Sequence, residues 1–218
     1  MERDRFLTAV RRSLTAARLP EVVETDPGLL IPDLEPADLT AHFSAALERA
    51  DGAVHTRPPL EVIGEIATRL SADRFVSWDG EHLPVPGLLE DLQRAGLHRI
   101  DHQHGFDDEG RSRRKAAYRS LLLGITGAEA GFAETGSIVV RSGAGRPRMA
   151  SLIPAVHVAL LPRVSIHRSL AHWAAQMAPE MSTAANVVFI SGPSRTGDIE
   201  MRLNKGVHGP GEVHVVLV

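Results

Sequence analysis

Apolar positions fall into two spacings along this chain. Phe6, Leu7, Val10, Leu14 and Ala17 recur every three or four residues, which predicts a helix over residues 3–17. The same spacing returns at Leu39, Phe43, Ala46 and Leu47, within a helix from about Pro36 to Ala50. It returns again at Leu60, Ile63, Ile66 and Leu70, in a helix opening near Pro58, where proline suits a first turn. Leu88, Leu89, Leu92 and Ala95 predict a fourth, with Gly96 placed to end it. The other pattern is not helical: short, mostly apolar runs over 74–78, 121–125, 138–140, 156–161, 186–190 and 212–218. Such runs, rich in β-branched residues and bounded by Gly or Pro, read as buried strands. Residues 148–153 read as a short helix stopped by Pro154. Ser165 reads as the cap of a helix presenting Ile166, Leu170, Trp173, Ala174 and Met177. Helix alternating with buried strand predicts a three-layer α/β/α domain on a mainly parallel sheet. Residues 51–218 are expected to form it. Residues 1–50, with Pro20, Pro27, Pro32 and Pro36 punctuating a linker, are expected to form an N-terminal helical arm that reaches toward another subunit.

The stretch 121–141 organises the rest. Two apolar runs flank a Gly-rich crossing that carries Glu129, Glu134 and a Thr135-Gly136-Ser137 turn. Glycine lets backbone approach a ligand closely. The crossing is therefore either a functional cleft with two carboxylates or a connection whose glycines only solve packing. A second motif follows the run 186–190. A Gly192-Pro193 turn leads to Ser194, Arg195, Thr196 and Asp198, where a helix would start. Free N–H groups and a guanidinium there favour an anion. The alternative is that the hydroxyls merely cap the helix while Asp198 and Glu200 satisfy its dipole. Gly206 to Gly211 form a turn around His208, and His157 sits inside an apolar run, as a satisfied core residue or as part of a site. The candidate catalytic residues are Glu134, Glu129 and His208. The candidate binding residues are Thr135, Gly136, Ser137, Ser194, Arg195, Thr196, Asp198 and His157. Both turns are expected to open at carboxyl ends of strands and to face one pocket that takes a small anionic ligand.

Composition narrows the chemistry. The formal net charge is -3 over 218 residues, without the basic stripe of a nucleic-acid binder. The basic segment 111–119 reads as a solvated, locally ion-paired helix. There is no cysteine, so disulfides, thiol catalysis and a cysteine-ligated iron–sulfur cluster are excluded. No apolar run approaches a membrane span and no signal peptide is evident, so a cytoplasmic protein is expected. His102 and His104, with Asp101, Asp107 and Asp108, are either a weak metal-chelating pattern or a solvated loop. The loop 142–147 has two glycines of a dinucleotide fingerprint, lacks the third and contains Pro147. No phosphate loop, nucleophile elbow or zinc helix is present, so no cofactor or metal is assigned.

Several motifs in order carry a resemblance. Gly124-Ile125-Thr126 with Ala128, then Phe132 to Ser137, then Pro154-Ala155-Val156-His157, Ser191 to Glu200, and Gly206 to Pro210 resemble the LUD-domain family in its lactate-utilization branch. The resemblance covers the C-terminal half. It implies the architecture of the ribose-phosphate isomerase and CoA-transferase group. It also implies a subunit of an L-lactate-oxidising system that works with iron–sulfur chains encoded separately, with homo-oligomers possible, and it keeps His157 among the site residues. Two other functions stay open: a free-standing enzyme on a small anionic or phosphorylated substrate, and a non-catalytic structural or regulatory subunit.

Overall fold

A computed structural model of the protein describes residues 2–16, 36–100, 108–118, 121–174, 184–196 and 204–218. The chain order is α1 (Glu2–Ala16), α2 (Pro36–Arg49), β1 (Ala53–His55), α3 (Pro59–Leu70), β2 (Arg74–Ser77), α4 (Leu88–Arg94), β3 (His98–Arg99), α5 (Asp108–Tyr118) and β4 (Leu123–Gly127). It continues with β5 (Ala130–Phe132), β6 (Ser137–Ser142), β7 (Val156–Leu161), β8 (Ile166–His167), β9 (Asn186–Ile190), β10 (Arg195–Thr196), β11 (Asn204–Lys205) and β12 (Glu212–Leu217).

Six strands form one parallel sheet in the order β1-β12-β7-β4-β2-β3. The protein is thus α/β with a mostly parallel sheet, as the alternation of runs predicts. β4 and β7 lie at the centre and are buried at every position. That is why their sequences are mostly apolar and do not alternate with exposed polar residues. α3 covers one face, where Arg69 reaches Glu212 of β12, with α4 beside it. The other face meets α2 and the 3-10 turn Arg148–Ser151. The turn sits so close that a Cβ on Gly124 of β4 would lie 2.0 Å from the Ala150 carbonyl oxygen. Phe43 and Leu47 of α2 are fully buried, so this helix is part of the core. α1 is exposed along its length, with Phe6 67% exposed. Among the described residues no helix is long and apolar enough to cross a membrane.

A second sheet has four strands in the order β8-β5-β6-β9. The runs 121–125 and 138–140 lie in different sheets, β4 in the large one and β6 in the small one. The switch takes two residues, since the Ala128 N–H still donates to Leu160 of β7 and the Glu129 N–H already donates to Val139 of β6. The helix start expected directly at Ser194 is corrected, because the next two residues are extended. Arg195 and Thr196 pair with Lys205 and Asn204 as a two-stranded ribbon. The Ser194 N–H and C=O are taken by Pro210 and Gly206, which holds the segment extended. Finally, Ser165 ends a 3-10 turn and leads into β8. The helix begins at residue 170, and Ser169 Oγ accepts the His172 N–H at 3.3 Å, so Ser169 is the capping residue.

Candidate functional site

β6 and β9 are antiparallel, with Ile138 opposite Ile190. This pairing brings the turn before β6 against the turn after β9, two motifs about sixty residues apart. Thr135 Oγ1 and Ser137 Oγ lie 2.7 Å apart, and Ser137 Oγ and Ser191 Oγ 2.6 Å apart. Three hydroxyls thus run in a chain from the hairpin tip. Gly136 makes the tip possible: its φ is 67°, and a Cβ there would lie 2.2 Å from the Leu47 nitrogen.

Ser191 lies on the wall of a cavity of about 190 Å³ between the two sheets. Ser151, His157, Ser194 and His208 also line it, with Val188, Ile190 and Val213 as apolar wall. The loop 206–210 is tied to this wall, because the His208 N–H reaches Ser194 Oγ at 3.4 Å. His157 is on β7, opposite Val213 of β12 and Gly124 of β4. It is fully buried. Its Nε2 shares a hydrogen bond of 2.9 Å with Thr126 Oγ1, while Nδ1 has no partner among the described residues. Burial, helped by the nearby His214, pushes its pKa down to about 4. The imidazole is therefore neutral at physiological pH, with one nitrogen committed and one available. Among the described residues neither a carboxylate nor a guanidinium lines the cavity. The site can offer hydroxyls, backbone groups and a neutral imidazole to a molecule of a few heavy atoms.

The expected residues divide. His157, Ser194 and His208 line the cavity, and Thr135 and Ser137 reach it through Ser191, with Gly136 shaping the turn. Thr196 lies just beyond, in the β10 ribbon. Arg195 is directed elsewhere: it donates to the Ala50 carbonyl and pairs with Asp51 Oδ2 at 2.8 Å. Lys205 meets the same oxygen at 2.8 Å. Lys205 first, and then Arg195, hold the Asp51 carboxyl below its ordinary pKa. Glu129 and Glu134 lie at opposite ends of the β5–β6 hairpin, so they do not act as a pair. Glu129 accepts from Arg141 Nε at 2.6 Å and Arg146 Nη1 at 2.9 Å. The backbone N–H of Glu134 donates to the Arg168 carbonyl, and its half-buried carboxylate does not line the cavity. Asp198 and the histidines of the 101–107 loop lie outside the described residues. Sequence reasoning missed Ser151 and Thr126. Nothing local marks Ser151, because a 3-10 turn and not a motif carries it to the wall. Thr126 could have been found from its place two residues after Gly124, the register neighbour of His157. One expectation on direction also changes. His157 and Val213 stand near the amino ends of β7 and β12, so the cavity is at the opposite edge of the large sheet from the carboxyl ends.

Comparison with known proteins adds a lineage. The LUD domain matches residues 41–218. Lactate utilization protein C of Halalkalibacterium halodurans is 33% identical over 69% of this chain and 64% of its own length. The chain therefore spans less than two thirds of that relative. Lactate utilization protein C of Shouchella clausii is 29% identical over 95% of this chain and 93% of its own. A crystal structure of a DUF162 family protein from Deinococcus radiodurans has a TM-score of 0.61, covering 85% of this chain and 99% of that one at 20% identity, which shows the same fold. With the family match running from α2 through β12, this chain belongs to the LUD-domain family.

Proposed function

We propose that this protein serves lactate utilization as a subunit that holds a small hydroxy or keto acid in the intersheet cavity. The pathway comes from the relatives named lactate utilization protein C. The observation that carries the cavity reading is His157, a buried neutral imidazole whose Nδ1 has no partner among the described residues, on a wall that mixes the hydroxyls of Ser151, Ser191 and Ser194 with apolar side chains. Such a wall matches the hydroxyl or carbonyl of a two- to three-carbon acid. In this reading the hydroxyls of Ser191 and Ser194 receive its carboxylate. Oxidising lactate to pyruvate removes two electrons. The chain has no cysteine to hold a cluster and no dinucleotide fingerprint, so the electron acceptor belongs to other chains, in our reading iron–sulfur subunits. We place the assembly in the cytoplasm.

A gene deletion tests the reading. Cells lacking the protein should fail to grow on L-lactate as sole carbon source and recover with the wild-type gene. Recovery should fail with His157→Leu at equal protein level. Normal growth of the deletion strain on lactate would overturn the assignment. So would lactate oxidation by the purified chain alone.

A further inference from the structure

The large sheet has a second place for a ligand, at the edge away from the cavity. From β2 the chain steps outward to β3 and then returns across β2 to β4. The connections part between β2 and β4. In parallel sheets this leaves a crevice outside the carboxyl ends of the two strands, where ligands bind. Here the crevice is filled with charge. Asp79 follows β2, Arg99 ends β3 and Glu129 follows β4, while Arg141 and Arg146 reach in from β6 and the turn after it. Arg99 donates to Asp79 and, at 3.2 Å, to the Ser77 carbonyl. Arg141 and Arg146 share Oε1 of Glu129. The Asp79 N–H donates to the Gly145 carbonyl at 2.7 Å, which joins the two halves. These five side chains are 19% to 29% exposed, so water screens them weakly.

Two N–H groups in this crevice have no acceptor among the described residues. One is Trp78 Nε1, on a side chain that is 98% buried by the complement of its 2% exposure. The other is Arg146 Nε. The Arg146 guanidinium carbon lies 5.9 Å from the centre of the Trp78 ring, so the two side chains that carry these donors are neighbours. Both groups are donors only. A buried donor without an acceptor carries a desolvation penalty that an arriving acceptor removes.

We propose that this crevice is an oxyanion site that takes a phosphoryl group. The orphan donors call for acceptor atoms, and the surrounding guanidiniums favour negative charge. Donors come from Trp78, from Arg146 and from the guanidiniums already on Glu129. A carboxylate offers two acceptor atoms in one plane, whereas a phosphoryl group offers three in a tetrahedral array. Both orphan donors are shut off from solvent, so entry needs a neighbouring group to move, and the turn that bears Arg146 is the nearest one. The site is separate from the intersheet cavity and does not depend on the lactate reading.

Trp78 is its own reporter. The chain has two tryptophans, so Trp173→Phe leaves Trp78 as the only indole. Titration with inorganic phosphate, at ionic strength held constant with chloride, should give a saturable change in Trp78 emission. The midpoint should rise at least tenfold in Arg146→Gln, and also in Arg146→Lys, which keeps the charge and loses Nε. The melting temperature of the chain with both tryptophans should rise with phosphate and cease to do so in Arg146→Gln. This second readout decides the matter if Trp173→Phe does not fold. Four results overturn the proposal: no saturable response, an equal response to chloride, an unchanged midpoint in Arg146→Gln, or saturation by pyruvate and not by phosphate.

Discussion

His157 is the residue on which the site turns, and its chemistry sets a pH dependence. Its folded-state pKa, about 4, lies below the ordinary 6.5. As pH falls, the unfolded chain takes up the proton first. The contribution of this group is therefore fully present above about pH 6.5 and is lost as pH falls toward 4, amounting to about 3 kcal/mol. Burial also lowers the pKa of His55 and of His167, which adds to the loss in the same direction. Urea midpoints at pH 7 and pH 4.5 should differ less in His157→Gln than in the wild type. An unchanged difference would show that His157 is not buried as described. Arg195 teaches the opposite lesson. Its residue type and its Gly-Pro turn suggested an anion ligand, yet its partners, Ala50 and Asp51, lie about 145 positions earlier in sequence. No local pattern shows such a partner. Arg195→Ala should leave ligand binding in the cavity unchanged, as read by calorimetry with pyruvate.

At the scale of elements, strands that are simple apolar runs were legible, and their pairing was not. The runs 156–161 and 186–190 match β7 and β9 residue for residue. A run of apolar residues says that a strand is buried, but it does not say in which sheet. β5, three residues inside a Gly-rich stretch, and the two-residue β10 carry no periodic signal at all. The hairpin tip they build around is testable. Gly136→Ala forces a side chain into left-handed backbone and against the Leu47 nitrogen, and should cost at least about 2 kcal/mol in denaturant unfolding. α2 is equally exposed to test. Phe43→Ala empties a fully buried site and should cost about 3–5 kcal/mol. The described side chains of α1 are exposed, so deleting residues 1–16 should leave the melting temperature unchanged.

In the molecule as a whole, two polar places sit at opposite edges of one parallel sheet. The intersheet cavity lies by the amino ends of β7 and β12, and among the described residues neither a carboxylate nor a guanidinium lines it. The crevice between β2 and β4 lies at carboxyl ends and is dense in guanidinium. The sequence motifs pointed to the residues of the first, since His157, Ser194 and His208 were all singled out. They were silent on its location, because a second sheet that brings β6 against β9 creates it. The same absence of a pairing signal is why sequence reasoning set Glu129 near Glu134, although the hairpin holds them at opposite ends. The central claim is that His157 and the serines form a ligand site. A crystal of the protein soaked in pyruvate, and another in L-lactate, tests it most directly. The account predicts ligand density in the intersheet cavity, with an oxygen within hydrogen-bond distance of His157 Nδ1. An empty cavity at saturating ligand, or pyruvate held only at the Arg146 crevice, would contradict it.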